Sequence, residues 1–356
     1  MLLEGLHIPL TTPFHPDGRL NLPKLAANIV RYSKSSAAGL IVLGPQGEPT
    51  LLTDDETRDV LRVASDSAAP EKVLIAGVSR DSVHATLALA SISAGLLYDA
   101  VLIGVPSVLA TASPDAAAAS HHELLLYFQT IADRSPLPVV LFSGNARRIP
   151  IDAAVELAAH PRIIGLLDAA GSPAEIEAIL CRAPAIKREV TVTPVFRAVT
   201  ARMKAAATHA STSFVSADSL LAKPYADASA IADAQPTPLL RTRTKSAGFQ
   251  ILASNTQSIL EALRAGAVGA APAFAAAAPQ ACYEVLAAWK DDDQPLAEEK
   301  QSRLCAAALL TEESPGGLKF ACDLNGYFGG LPRLPRLPPT GEQRAAIEQI
   351  MKPIRN

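Results

Sequence analysis

Two carboxylates and one guanidinium stand where this chain could do chemistry. Glu48 and Asp168 each follow a short apolar run, and Arg147 lies in the polar stretch after a third. Two carboxylates can divide general-acid and general-base work between them. A guanidinium can grip a carboxylate through two parallel hydrogen bonds. Both carboxylates also have a plainer use, which is the stronger expectation. Glu48 would cap the next helix or brace its loop, and Asp168 would accept backbone N–H groups. Ser143 ends another apolar run, but no histidine or lysine base stands near it in the sequence, so it is not read as a nucleophile. His121-His122-Glu123 is the sole histidine cluster. It falls in a helical window, where adjacent residues face different ways, so it is not read as a metal site. No metal and no cofactor are expected.

The elements that would position these residues repeat regularly. Apolar runs occur at 6–11, 39–43, 73–76, 100–103, 139–142, 163–167, 249–253 and 267–271. Amphipathic helical windows separate them, among them 22–35, 54–67, 82–94, 116–132, 150–159 and 173–182. The runs are apolar throughout, not alternating, as in a parallel sheet covered on both faces. Eight such units predict a (β/α)8 barrel over 1–279, followed by a C-terminal helical region over 280–356. Barrels put catalysis at the C-terminal ends of their strands. The residues expected there are Thr11, Thr12, Gln46, Glu48, Ser79, Arg80, Ser143, Asn145, Arg147, Asp168, Ser254 and Asn255. No lysine is expected among them.

One segment breaks the rhythm. Residues 184–247 intervene between the sixth helix and the seventh strand, far beyond the ~2–6 residues usual for such a connection. A helix is predicted over Pro194–His209, with Val195, Val199 and Met203 on one face, and another beginning at Ser216. A helix-to-strand connection lies on the N-terminal face, so the insertion should sit away from its own pocket. It reads either as a surface excursion or as an added subunit contact.

Composition narrows the class. The chain has 356 residues, 49% apolar, with a net charge of −3. That bulk charge gives no preference for nucleic acid or membrane as a partner. Cys181, Cys282, Cys305 and Cys322 have neither CxxC nor zinc spacing, which fits reduced thiols and a cytoplasmic location. The N-terminus shows no secretory pattern, and no apolar run reaches membrane-spanning length.

Several motifs, in order, carry a family resemblance. Thr12-Pro13-Phe14 with Asp17-Gly18, Gly44-Pro45-Gln46-Gly47-Glu48, Thr53 with Glu56, Ala76-Gly77-Val78, Leu137–Phe142, Ile163-Ile164-Gly165-Leu166-Leu167-Asp168, Ala265–Gly269, Lys319 and Gly329–Pro335 together resemble the dihydrodipicolinate synthase / N-acetylneuraminate lyase family. The resemblance implies a pyruvate-type aldolase barrel, commonly a homotetramer, in which a strand-six lysine forms an imine with a keto acid. It aligns Leu167 with that lysine and Phe142 with a proton-relay tyrosine. It aligns Pro45 with the first loop threonine, and Ser107 or Val108 with a tyrosine shared between subunits. Leucine has no nucleophilic atom, and proline has neither hydroxyl nor N–H. The residues left to bind are Gln46, Gly47, Ser143, Asp168, Ser254 and Arg147, or Arg148 if the loop shifts by one.

Three functions follow as expectations. The chain binds a small 2-keto acid or carboxylate without imine chemistry, or is an active lyase with a rebuilt pocket, or is a scaffold that uses its insertion for assembly. A homo-oligomer, dimer or tetramer, is expected in each case.

Overall fold

The structure is a computed structural model that describes residues 1–109, 117–169, 172–212, 240–312 and 314–354, with the side chains of 117–120 and 209–212 outside the description. Its strands are β1 (Gly5–Pro9), β2 (Gly39–Val42), β3 (Val73–Gly77), β4 (Ala100–Gly104), β5 (Val139–Ser143), β6 (Ile163–Asp168), β7 (Arg188–Val192), β8 (Arg243–Ala247), β9 (Gln250–Ala253) and β10 (Gly269–Ala270). All but β7 and β8 form one closed parallel barrel, in the order β1-β10-β9-β6-β5-β4-β3-β2. The eight-unit barrel read from the sequence is therefore the fold. The second and third turns around it are set by helices α1 (Leu22–Ser33), α2 (Asp54–Ser67) and α3 (Val83–Gly95). Then come α4 (Ala117–Arg134), α5 (Ile151–Ala158), α6 (Pro173–Arg182), α7 (Ala201–Thr212) and α8 (Ile259–Arg264). The C-terminal region is α9 (Pro279–Lys290), α10 (Gln294–Thr311), α11 (Pro315–Leu324) and α12 (Gly341–Met351). No helix among the described residues is long and apolar enough to cross a membrane.

Local chemistry explains these elements. Helix α1 buries Leu25, Asn28, Ile29 and Tyr32, the i, i+3, i+4, i+7 stripe that faces a core. Thr53 and Glu56 form a reciprocal capping box that starts α2. Apolar strand residues divide between two cores. One set packs outward against the helices. The other fills the barrel interior, with Leu3, Ile41, Ile75, Leu102, Val140 and Leu167 among its members. Gly77 is required where β3 ends, because a Cβ there would lie 2.0 Å from the Leu43 carbonyl oxygen. That clearance lets the loop after β2 cross the strand end.

The bottom of the barrel is closed by the chain's first residues. Leu3 is fully buried in the interior, and its N–H donates to Gln250 Oε1 at 2.7 Å. Gln250 Nε2 donates in turn to the Met1 carbonyl at 3.1 Å. His7 Nε2 lies 2.9 Å from the Leu3 carbonyl oxygen. Burial pushes the His7 imidazole pKa down to about 4, so it is neutral near pH 7.

The insertion differs from the sequence expectation in part. Strands β7 and β8 pair antiparallel as a two-stranded ribbon. No helix begins at Pro194: residues 193–197 form a tight turn, with Thr193 N–H donating to the Arg197 carbonyl at 2.8 Å. The Val195–Val199–Met203 face does not form, since Val195 is exposed and Val199 buried. Helix α7 starts later, where Thr200 Oγ1 accepts the Met203 N–H at 3.1 Å. The predicted helix from Ser216 lies outside the described residues. The described part of the insertion sits on the N-terminal face. Arg188 Nη2 donates to the Ala158 and His160 carbonyls at 2.8 and 2.9 Å. The Ala201 N–H reaches Asp99 Oδ1 at 2.7 Å, and Arg202 donates to the Lys72 carbonyl. These partners precede or begin β3, β4 and β6.

Candidate functional site

At the C-terminal mouth, three inward positions are set by strand register. Leu167 pairs with Phe142 on β5 and with Leu252 on β9. Leu167 is 2% exposed and packs within the interior cluster, and Phe142 packs against the same cluster. The Phe142 ring is fixed between two glycines. A Cβ at Gly104 would lie 3.2 Å from its Cδ1, and one at Gly144 3.0 Å from its Cε1. The layer therefore presents hydrocarbon, with no titratable atom at either position.

The loop after β2 forms the adjoining rim. Pro45–Gly47 make one tight helical turn, with Pro45 exposed, Gln46 half-buried and Gly47 buried. Thr12 Oγ1 donates to the Gly47 carbonyl at 2.7 Å. Glu48 takes a left-handed conformation (φ 53°) and its side chain is buried.

Glu48 is an ion-pair partner, not a free acid or base. Lys319 Nζ on α11 lies 2.5 Å from Glu48 Oε1, and both side chains are fully buried. Lys319 also donates to the Thr12 carbonyl at 2.8 Å and the Leu331 carbonyl at 3.0 Å. Its ammonium sits 4.4 Å from the Phe14 ring centroid, and the Arg333 guanidinium sits 4.9 Å from the same ring. Arg333 grips Glu56 through both nitrogens at 2.6 Å. Burial lowers the Lys319 pKa, and the Glu48 charge opposes that shift. The chain segment from Gly329 fits here because Gly329 passes directly against the Lys319 backbone, where a Cβ would meet the Lys319 oxygen at 1.9 Å. The sequence placed no lysine near the strand ends. Lys319 corrects that: it starts on a terminal helix, 271 residues from Glu48, and its long stem reaches the end of β1.

The remaining candidates are placed as follows. Ser143 Oγ accepts the Ile149 N–H at 3.1 Å, so its hydroxyl braces the β5–α5 loop. Asp168 is buried beside it in register, and the Asp168 carbonyl accepts the Ser254 N–H at 2.9 Å. Ser254 Oγ donates to the Ala271 carbonyl at 3.2 Å. Arg147 is exposed on the rim, with Nη1 3.3 Å from the Val105 carbonyl, whereas Arg148 is tied to Glu175. Ser107 is held by Asp81, through N–H and hydroxyl bonds of 2.5 Å each. These bonds hold the Asp81 carboxyl below the usual range. Val108, next to it, is 64% exposed. His121 turns toward Glu156 at 3.7 Å while His122 faces solvent. Among the described residues no group of three or more His, Cys, Asp or Glu side chains is arranged to hold a metal ion. A cavity of about 340 Å³ lies away from these strand ends, between the loop after β1 and the C-terminal strap, and is walled by Phe14, Phe320, Leu331 and Pro338.

Comparison with known proteins agrees with this architecture. Residues 2–187 match the model of the dihydrodipicolinate synthetase family. The 4-hydroxy-tetrahydrodipicolinate synthase of Acidiphilium cryptum is 25% identical, over 98% of this chain and 98% of its own length. Dihydrodipicolinate synthase from Bacillus anthracis superposes with a TM-score of 0.76 at 20% identity, covering 100% of both chains. A prophage protein of the dihydrodipicolinic acid synthase family from E. coli K12, solved in complex with pyruvate, superposes with a TM-score of 0.73 at 20% identity over 99% of each chain.

Proposed function

This chain belongs to the dihydrodipicolinate synthetase family, and from that premise we propose that it binds a small 2-keto acid or carboxylate at the barrel mouth without forming an imine. The observation that carries the reading is Leu167, which turns hydrocarbon into the interior layer beside Phe142. Imine formation needs a nucleophilic amine on the protein, and a leucine side chain has none. Lys319 is the described amine that reaches the loops after β1 and β2, but it donates to the Thr12 and Leu331 carbonyls and is ion-paired with Glu48. Those contacts hold Nζ against the two loops and the C-terminal segment, and leaving them would strand the buried Glu48 carboxylate without its partner.

Binding is assigned to the rim. Among the described residues Arg147 makes one long bond to a carbonyl and no ion pair with an acid, so its guanidinium is available for a carboxylate. Gln46 and Gly47, in the loop after β2, are assigned to the same ligand, and a pyruvate complex of a protein with this fold supports the choice of ligand class. An active lyase would need a base; Glu48 is neutralised by Lys319 and the Ser143 hydroxyl is engaged, which weighs against that reading. Titration calorimetry with pyruvate and related 2-keto acids tests the proposal. Saturable heat is expected, weakened about tenfold or more by Arg147→Ala and unchanged by Arg148→Ala. No heat with any 2-keto acid, or dependence on Arg148 alone, overturns it. The chain is further proposed to act as a homo-oligomer, a dimer or tetramer, with exposed Val108 at a subunit contact; a solution mass of one chain contradicts this.

A further inference from the structure

The net charge of −3 conceals an uneven distribution. The insertion 184–247 holds nine Lys and Arg against four Asp and Glu, leaving 23 against 31 in the rest of the chain. Within its described part, Glu189 is the one acid. It lies on the outer face of β7, in register with Ser246, and Thr191 beside it pairs with Thr244. Arg188 and Arg202 are buried in the contact with the barrel. Lys245 is paired with Glu4. Lys187, Arg197, Lys204, Arg241 and Arg243 are exposed and take part in no ion pair among the described residues.

At one end of this ribbon the turn 193–197 projects apolar side chains into solvent. Val195 is 72% exposed and Phe196 52% exposed. The turn is built, not loose: Phe196 N–H donates to the Thr193 carbonyl at 2.9 Å, and Arg197 N–H to Thr193 Oγ1 at 3.1 Å. Phe196 holds a positive φ of 59°, a strained choice for an aromatic residue. The Arg243 guanidinium sits 5.8 Å from the Phe196 ring centroid. An apolar pair, flanked by cations and raised from the surface on a fixed turn, suits an interface that is apolar inside and anionic at its rim.

We propose that the insertion's ribbon is a docking surface for an anionic phospholipid layer, with Val195 and Phe196 entering the headgroup region and Arg197, Arg241 and Arg243 pairing with lipid phosphates. A second copy of this chain is a poorer occupant for the same face, because two such faces would oppose cation to cation. Nucleic acid would use the cations but gives no reason for an aliphatic Val195 at the apex. The barrel mouth, at the opposite face, would then point away from the lipid.

Vesicle co-sedimentation of the full chain tests this, using phosphatidylcholine vesicles with and without phosphatidylserine. Binding that requires phosphatidylserine and falls with added salt is expected. Arg241→Glu with Arg243→Glu should weaken partition by roughly fivefold or more per charge. Val195→Asp with Phe196→Asp should abolish it while leaving the circular dichroism spectrum unchanged, since both side chains are exposed. No phosphatidylserine-dependent sedimentation, or full binding by the Val195→Asp, Phe196→Asp variant, overturns the proposal. So does a drop in solution mass for that variant, which would place the turn between subunits.

Discussion

Phe142 and Leu167 are register partners on adjacent strands, and both turn their side chains into the barrel. The layer they share fixes what a substitution at either position would do. Leu167→Lys would put an amine into the interior at a cost. Fully buried lysines are depressed by up to ~3–5 pKa units, each worth about 1.4 kcal/mol. The variant is expected to unfold at a markedly lower urea concentration, and also to gain a borohydride-stable pyruvate adduct at residue 167. A variant of unchanged stability would show that position 167 is not enclosed.

The Glu48–Lys319 pair is a structural tie between the C-terminal region and the rim. Removing one member leaves the other charged and buried, which costs about 3–5 kcal/mol. Lys319→Met is therefore expected to be strongly destabilised in denaturant titration. Lys319→Met combined with Glu48→Gln should recover much of that loss, because no uncompensated charge remains. Equal stability of the single and double variants would contradict the pair's assigned role.

His7 makes stability depend on pH in acid. Its folded pKa is about 4, below the ordinary value of 6.5. Between those values the unfolded chain binds the proton more readily than the folded one, so stability falls as pH drops from about 6.5 toward 4. The full loss is about 3 kcal/mol, from some 2.5 units at roughly 1.4 kcal/mol each. His7→Gln should flatten this part of the stability profile, read by urea titration at a series of pH values. An identical slope in the variant would mean that His7 is hydrated or already charged.

Gly77→Ala would force a methyl group onto the Leu43 carbonyl, where only 2.0 Å is free. Backbone has to move, so a destabilisation of about 2 kcal/mol or more is expected, together with weaker keto-acid binding as the rim loop shifts. A silent substitution would show that the crossing loop has room to yield.

The barrel was legible in the sequence because parallel strands covered on both faces read as unbroken apolar runs. Val73–Gly77 and Ala100–Gly104 are buried at every residue, and their runs stand out from the polar loops. The ribbon of the insertion was not legible as a pair. Val190 and Val192 alternate with exposed neighbours as a half-buried strand should. Their partners on β8 lie some fifty residues further on, and no short-range turn signal joins them. Lys319 was hidden for a similar reason: helix periodicity places it on α11, and nothing local says that its stem reaches Thr12 and Glu48. Arg147 and Arg148 could not be separated by spacing alone. The structure distinguishes them by charge, since Glu175 occupies Arg148.

Incubating the unaltered protein with pyruvate and borohydride, then weighing its peptides, tests the central claim most directly. The account predicts that no lysine peptide gains a reduced pyruvyl group. A gain on any lysine peptide, that of Lys319 above all, would contradict it.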